Sequence, residues 1–203
     1  MTIRLVRVIK LGGSLLNWPE LVGQFRSWLA AQSPAANVIV VGGGPLVESL
    51  RALDRVHSLS DETAHWLAIR AMSVTSAMVA ELLSEATMVR APKELRLKSS
   101  EPPQILDVEE FLRQERGERG ALRCSWDVTS DSIAARLANA LHASELVLLK
   151  SALPADPTHE ATARGGYVDA SFAASASLLP VRCVNLRDRH FAEFTLAADH
   201  TLI

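Results

Sequence analysis

Hydrophobic and polar residues alternate along the chain in blocks that predict strands and helices in turn. Short apolar runs at 3–11, 37–41 and 145–149 are typical of strands buried on both faces of a sheet. Helical spacing of apolar residues follows the first two runs, and a further helix predicted at 129–142 precedes the third. This order predicts an α/β fold with a mainly parallel central sheet.

Three helices are predicted in the first 85 residues. Asn17 and Glu20 form a helix-start signal for the first, and Pro45 suits the first turn of the second. The second helix and the third, at 61–85, each have an apolar face. The face of the second helix consists of Leu46, Leu50 and Leu53, and that of the third consists of Leu67, Ala71, Val74, Met78 and Leu82. We expect the third helix to serve both the core and a partner subunit, which makes a homo-oligomer our expectation.

The remaining segments are less regular. Positions 90–104, with three prolines, predict a loop or flap, and the runs at 181–185 and 201–203 predict late strands. The sequence shows no internal repeat, so we interpret 1–203 as a single domain. The loop at 151–166 would divide a lobe of about 1–150 from a smaller one of about 151–203.

Composition excludes several classes of protein. The chain has 203 residues with 21 basic and 23 acidic side chains, hence a net charge of 21 − 23 = −2, and apolar residues make up 48%. These values argue against disorder and against a dedicated nucleic-acid binder. No apolar run reaches the length of a membrane span, and we read no signal peptide at the N-terminus. Two isolated cysteines indicate a reduced, cytoplasmic protein.

Two glycine-rich loops carry the clearest chemical signal. KLGGS at 10–14 and GGGP at 42–45 each leave a buried strand and enter a helix. Free amides and the helix dipole favour an anion at such a point, and glycine lets the backbone approach phosphate oxygens closely. Lys10 adds a cation suited to a phosphoryl group in transfer. Taken alone, each loop is also compatible with a purely structural turn.

Two further charged residues lie next to predicted strand or helix ends. Asp131 follows Thr129 at a helix start, where it either caps the helix or orients lysines beside a magnesium-bound phosphate. Lys150 ends the strand ELVLL, and would face the glycine loops if this strand joins the same sheet. Neither loop matches the GxxxxGK[ST] or GxGxxG patterns, which argues against a P-loop NTPase and a dinucleotide-binding dehydrogenase.

These residues, in this order, resemble the amino acid kinase superfamily. The resemblance includes IKLGGS, VVGGGP, the SD-plus-alanine helix, LVLLK, the Tyr167-Val168-Asp169 segment with Phe172, and the final TLI. The short chain, AHWLAIRAM at 64–72 and WDVTSDS at 126–132 resemble a small subgroup similar to archaeal aminomethylfuran phosphate kinase of methanofuran biosynthesis.

The resemblance implies a three-layer αβα sandwich that uses ATP and Mg²⁺, with the metal carried by ATP. The lobe at about 1–150 would bind the acceptor and phosphates, and that at about 151–203 would be a reduced nucleotide lobe. Lys10 and Asp131 would be catalytic, and the ATP phosphates would contact Gly12, Gly13, Ser14 and Lys150. The acceptor's anionic end would lie on Gly42, Gly43 and Gly44.

A small acceptor that carries both a phosphate and an amine would need an anion site and a cation site. The GGGP loop supplies the first, and Asp54, Asp61, Glu62 and Asp127 are candidates for the second. Trp66 and Trp126 could stack on a ring, and His65 could stand in a polar wall. Each also has an ordinary structural interpretation, as helix caps or core aromatics.

The sequence departs from the family pattern after the strand that ends at Lys150. Many relatives carry a T-[DN]-x-x-G turn there, whereas this chain has KSALPADP. Two functions therefore stay open. One is a kinase with a small anionic acceptor, such as aminomethylfuranmethanol phosphate; the other is a non-catalytic nucleotide or anion binder, such as a sensor or storage protein. A small molecule is the expected partner in both.

Overall fold

In a computed structural model, which describes residues 5–154, 156, 159–176 and 179–196, helices cover both faces of one sheet. The strands are β1 (Val6–Leu11), β2 (Ala36–Val41), β3 (Thr87–Val89), β4 (Gln104–Leu106), β5 (Glu145–Lys150), β6 (Val181–Asn185) and β7 (Glu193–Leu196). The helices are α1 (Leu21–Ala30), α2 (Gly44–His57), α3 (Asp61–Leu82), α4 (Val108–Gln114), α5 (Ser130–Ala140), α6 (His159–Arg164) and α7 (Phe172–Ala176).

The sheet brings the chemically interesting strand ends together. Its described strands follow the order β3-β4-β2-β1-β5-β6-β7, and every neighbouring pair is parallel except β6 and β7. Leu11 is in register with Val41 on one side and with Leu149 on the other. The predicted α/β fold with a mainly parallel sheet is confirmed, and the three strands end at one edge.

Alternating residues of β1 face two separate cores. Ile9 and Leu11 belong to a cluster with Phe25 of α1, whereas Val8 belongs to a cluster with Leu137 of α5. Both faces of the strand are therefore buried, as its unbroken apolar run predicts. Each fully buried side chain of this size stabilises the fold by about 1.5–3 kcal/mol. The result is the expected three-layer αβα sandwich.

Local signals place most helix starts. Thr129 caps α5 and Pro45 occupies the first turn of α2, as the sequence predicts, and Asp107 caps α4. The first helix differs. It begins at Leu21 without a side-chain cap, so the Asn17 and Glu20 signal does not start it directly.

The predicted apolar faces of α2 and α3 do not point into the core. Val74, Met78 and Leu82 are exposed, and α2 buries no residue at all. The buried stripe of α3, which includes Ile69, Met72 and Val79, has the same helical spacing but is rotated around the axis. Helical periodicity fits both stripes, so it identifies the helix without identifying its inner face. The helix also ends at Leu82 rather than at position 85.

Several segments differ from the strand predictions. The irregular stretch at 90–104 is partly ordered into a short helical turn, and β3 and β4, with only three residues each, flank it. The late strand at 181–185 is confirmed, and β7 follows it unpredicted. The predicted strand at 201–203 lies outside the described residues. Within the described chain, no helix combines the length and apolar character needed to cross a membrane.

The two predicted lobes share one sheet. β5 lies in the first 150 residues and pairs in parallel with β6, which lies beyond the loop at 151–166. Contacts from this later segment reach the edge where β1, β2 and β5 end. Residues of both lobes are therefore available to one site.

Candidate functional site

An open cleft of about 850 Å³ lies over the edge where β1, β2 and β5 end. Its lining includes the two glycine loops, one face of α3, the segment that enters α5, and the segment between α6 and α7. Most of the candidate residues lie here, namely Lys10, Gly12, Gly13, Ser14, Gly42, Gly43, Gly44, His65, Asp127, Asp131 and Lys150. The topology thus gathers candidates that are up to 140 positions apart in the sequence.

The backbone hydrogen bonds of the sheet continue into both glycine loops. The amide of Gly12 donates to the carbonyl of Leu149 at 2.8 Å, and the amide of Gly42 donates to that of Leu11 at 2.9 Å. The first loop leads into a short 3₁₀ turn, and the second leads directly into α2 at Gly44. Ser14 is exposed beside the cleft. The N-terminal amides of α2 favour a bound anion at the second loop. The helix expected directly after the first loop is wrong, because a 3₁₀ turn of three residues stands there and α1 begins only at Leu21.

Two lysines converge on one carboxylate. Lys10 Nζ lies 2.9 Å from Oδ1 of Asp131, and Lys150 Nζ lies 2.8 Å from Oδ2. The three side chains are only 7%, 13% and 7% exposed for Lys10, Lys150 and Asp131. The structure therefore joins the two charged candidates from separate strands through Asp131 at the start of α5. Neither lysine is therefore a solvated charge at a strand end.

The charges in this triad depend on one another. Burial alone would raise the pKa of Asp131, but Lys10 and Lys150 outweigh it and hold the pKa below its ordinary value. Burial and the nearby charge of Lys10 lower the pKa of Lys150, and Asp131 acts in the opposite direction. An ionised Asp131 thus keeps two positive groups close together, a pairing that would otherwise be repulsive.

Lys150 has a second partner that the sequence did not indicate. Its Nζ donates to the backbone carbonyl of Tyr167 and lies 4.4 Å from the centre of that ring. Tyr167, Val168 and Asp169 line the cleft, although nothing in the sequence beyond family resemblance pointed to them. A carbonyl acceptor leaves no signature in a sequence, so only the folded chain could identify it.

The remaining part of the cleft, beside α2 and α3, carries a mixed set of polar groups. Asp127 is exposed and His65 is buried in the wall, where burial lowers the pKa of the imidazole and a hydrogen bond to the backbone of Ser125 opposes this. Arg51 and Glu48 of α2 also line this part, and reasoning from the sequence missed both. They lie one turn apart on α2.

Asp54 occupies a different place from the one expected. It does not line the cleft. One carboxylate oxygen accepts from the indole Nε1 of Trp126 at 2.8 Å, and the other accepts from the backbone amide of Leu59 at 2.8 Å. Arg51 lies over the Trp126 ring, 4.6 Å from its centre. Asp54 therefore fixes an aromatic wall of the cleft.

Three other candidates lie away from the cleft. Trp66 packs under the guanidinium of Arg113, at 4.3 Å. Glu62 pairs with Arg116 on the surface, and Asp61 stands in the first turn of α3. Of the two tryptophans considered for stacking, Trp126 alone lines the cleft among the described residues.

Comparison with known proteins agrees with this geometry. Residues 6–152 match the model of the amino acid kinase family. The chain belongs to the amino acid kinase family. The matched range includes both glycine loops, Asp131 and Lys150, which are the residues that meet in the cleft. Membership of this family supports a phosphotransferase and leaves the acceptor open. No curated protein matches the sequence significantly.

Solved structures show the same fold at low sequence identity. Aspartate kinase from Synechocystis superposes with a TM-score of 0.65 at 14% identity, over 97% of this chain and 40% of that one. UMP kinase from Ureaplasma parvum gives 0.64 at 15%, over 94% and 93%. Uridylate kinase from Archaeoglobus fulgidus gives 0.60 at 16%, over 95% and 91%. This chain thus spans less than half of the aspartate kinase and most of the two nucleotide kinases.

The donor set of the cleft fits the phosphates of ATP. Two ammonium groups, the Ser14 hydroxyl and the amides that begin α2 are all donors, and phosphate oxygens are acceptors. Within the described residues, no three His, Cys, Asp or Glu side chains are grouped to hold a metal ion.

Proposed function

We propose that the protein is an ATP- and Mg²⁺-dependent kinase that transfers a phosphoryl group to a small anionic acceptor. The observation that carries this proposal is the triad of Lys10, Asp131 and Lys150 beside two glycine loops in one cleft. Phosphoryl transfer depends on positioning and on neutralising charge at the phosphoryl oxygens. A pair of preorganised cations held by a buried carboxylate is suited to that task.

Each part of the cleft has a distinct task in this mechanism. ATP supplies the phosphoryl group and, through its magnesium, part of the neutralising charge. The amides of Gly13 and Ser14 bind phosphate oxygens, while Gly12, whose amide donates to Leu149, holds the loop to the sheet. Lys10 and Lys150 stabilise the negative charge of the phosphoryl group during transfer. Asp131 holds both ammonium groups in place, so little reorganisation is needed when the transition state forms.

We further propose that the acceptor is a phosphomonoester with a primary amine, with aminomethylfuranmethanol phosphate as the expected compound. An oxygen of its phosphate would attack the γ-phosphorus of ATP, giving a diphosphate and releasing ADP. The start of α2 at Gly43 and Gly44 suits the phosphate, and Asp127 suits the amine. Trp126 offers a flat surface for a furan ring. The resemblance of WDVTSDS and AHWLAIRAM to the methanofuran-pathway subgroup supports the same compound.

A panel of acceptors tests both levels of this proposal. ADP formation is measured with ATP, Mg²⁺ and one acceptor at a time: the amine-bearing phosphate, its analogue without the amine, UMP, aspartate and acetylglutamate. ³¹P NMR of the products identifies the new phosphoanhydride. Turnover of the amine-bearing phosphate alone supports the full proposal, whereas turnover of UMP, aspartate or acetylglutamate instead overturns the acceptor and keeps the kinase.

Controls separate transfer from binding. Lys10→Ala should abolish most of the turnover, and Lys93→Ala, which removes an exposed lysine outside the cleft, should leave it unchanged. If the protein binds ATP but no acceptor yields ADP above the Lys10→Ala level, the non-catalytic binder is the correct function. The KSALPADP segment, which replaces the usual family turn after Lys150, makes this control necessary.

A further inference from the structure

The carboxylate of Asp169 gathers hydrogen bonds from two distant parts of the chain. Its Oδ2 accepts from the amide and hydroxyl of Thr129, at 3.0 and 2.7 Å, and from the amide of Ser132 at 3.1 Å. Its Oδ1 accepts from the hydroxyl of Ser132 and, at 3.0 Å, from the amide of Ser171. Five donors therefore converge on one half-buried side chain that lines the cleft.

These bonds are made by residues on either side of Asp131, the carboxylate of the triad. Thr129 and Ser132 flank Asp131, so the carboxylate of Asp169 fixes the turn that presents Asp131 to the two lysines. The side chain of Thr129 itself caps the helix only weakly, because it reaches the amide of Asp131 at 3.4 Å. A bonded anion at the start of α5 is also favoured by the helix dipole.

The same residue fixes the second partner of Lys150. Tyr167, whose carbonyl accepts from Lys150 Nζ, lies two positions before Asp169. Tying Asp169 to α5 therefore holds this carbonyl against the lysine. The contacts close a ring that runs from Lys150 through Asp131 and the start of α5 to Asp169, and then back through Tyr167 to Lys150.

We propose that Asp169 is a positioning residue for phosphoryl transfer, because it fixes Asp131 and the Tyr167 carbonyl and through them the ammonium group of Lys150. This inference rests on the proposed kinase function. Asp169 does not need to touch ATP or the acceptor. Its effect should fall on kcat rather than on KM, since a small displacement of groups that act in the transition state is costly to the rate.

Asp107 provides a matched control. It is also an aspartate that accepts from a backbone amide at a helix start, that of Glu109 at 3.1 Å, and from a serine hydroxyl, that of Ser73 at 2.7 Å. It caps α4 and does not line the cleft. Replacing Asp107 therefore removes a comparable cap without touching the triad.

The experiment compares Asp169→Ala, Asp169→Asn and Asp107→Ala by three measurements. Steady-state kinetics gives kcat and KM, thermal unfolding gives stability, and acylation by an amine-reactive reagent, followed by peptide mass spectrometry, gives the reactivity of Lys150. We expect Asp169→Ala to lower kcat by roughly 10²-fold with little change in the KM for ATP. Lys150 should become several-fold more reactive. Asp169→Asn, which keeps one acceptor oxygen, should fall between this variant and the wild type.

The outcomes separate positioning from simple stabilisation. Asp107→Ala should lower the melting temperature while leaving kcat and Lys150 reactivity as in the wild type. If Asp169→Ala behaves in the same way, the inference is wrong. If Asp169→Ala does not fold, Asp169→Asn decides, and wild-type kcat with wild-type Lys150 reactivity would overturn the inference. If the wild type itself transfers no phosphoryl group, the proposed function fails, whereas the Lys150 reactivity still tests the positioning.

Discussion

The backbones of Gly13 and Gly44 lie against each other where the two glycine loops meet. A Cβ atom on Gly13 would lie 2.4 Å from the amide nitrogen of Gly44, and one on Gly44 would lie 2.8 Å from the carbonyl oxygen of Gly13. Gly44 also has a φ of +53°, which side chains rarely tolerate. The glycines thus let the two glycine loops form one continuous surface.

Gly13→Ala should therefore damage both stability and activity. The added methyl group must push the two loops apart, and overpacking of this kind costs about 1–3 kcal/mol of unfolding free energy. We expect kcat/KM to fall further than stability alone explains, because the loops carry the phosphate donors. Denaturant unfolding and steady-state kinetics measure the two effects.

Gly23→Ala is the matched control for this prediction. Gly23 lies inside α1, where an added Cβ meets no atom within 4 Å. Alanine favours a helix over glycine by up to about 1 kcal/mol, so this variant should be slightly more stable and fully active. Wild-type stability and activity in Gly13→Ala would show that the loops separate without cost.

Local sequence signals were sufficient to place the glycine loops. The buried run of β2, the three glycines and Pro45 each have one dominant structural interpretation, and together they fix a strand, a turn and a helix start. Lys10 and Lys150 follow as strand-end residues. What local pattern cannot give is the order of strands in the sheet, and that order is what brings both lysines to Asp131.

Other features of the fold and the site could not be derived from the sequence, because more than one pattern of residues fits the chain equally well. Val74, Met78 and Leu82 fit a helical stripe as well as Met72 and Val79 do, and only packing against the rest of the fold selects the buried one. The strands β3 and β4 are too short to show a period. The role of Asp54 depends on Trp126, 72 positions away.

The contact between Asp54 and Trp126 predicts a selective effect on the acceptor. Asp54→Ala removes the acceptor of the indole N–H. The Trp126 ring, which forms one wall of the cleft, is then no longer held in place. We expect the KM for the acceptor to rise by roughly tenfold, equivalent to about 1.4 kcal/mol of acceptor binding lost when the ring is no longer held in place, with the KM for ATP unchanged. Trp126→Phe removes the same bond and should match it. An equal rise for ATP would contradict this assignment.

Burial of His65 predicts a pH dependence of stability. Because burial lowers the pKa of the folded imidazole, the unfolded chain takes up a proton first as the pH falls through the ordinary histidine value of about 6.5. The free energy of unfolding should therefore decrease on going from pH 7 to pH 5. His65→Gln removes this component, so the variant should lose less stability over that range. If denaturant unfolding shows that His65→Gln and the wild type lose the same stability between pH 7 and pH 5, the prediction is wrong.

The exposed faces of α2 and α3 bear on the expected homo-oligomer. Leu53, Val56, Val74 and Met78 are 53%, 73%, 58% and 40% exposed, which is unusual for apolar residues on neighbouring helices. We expect a second copy of the chain to cover them. Met78→Glu should then convert an oligomer into monomers in sedimentation velocity, whereas Leu5→Glu, at another exposed apolar position, should not. A monomeric wild type would contradict this prediction.

Lys10→Ala is the most direct test of the chemistry. If Lys10 stabilises charge that develops on the phosphoryl group, its contribution lies in the transition state rather than in the ground state. We expect kcat to fall by roughly 10²–10³-fold, as when one preorganised stabilising donor is removed. ATP binding should weaken much less, because Lys150 and the loop amides remain. Single-turnover transfer and an ATP titration measure the two quantities.

The buried position of Lys10 adds a consequence for stability that a solvated lysine would not have. Removing it leaves Asp131 buried with Lys150 as its remaining ion-pair partner in the described structure, so we expect a loss of about 1–3 kcal/mol, below the 3–5 kcal/mol of a fully orphaned buried charge. Lys10→Ala combined with Asp131→Asn should lower stability further, because it also takes the carboxylate partner from the buried Lys150, and should recover no activity. Recovery of turnover in the double variant would remove the triad from the mechanism, and wild-type turnover in Lys10→Ala would remove the lysine.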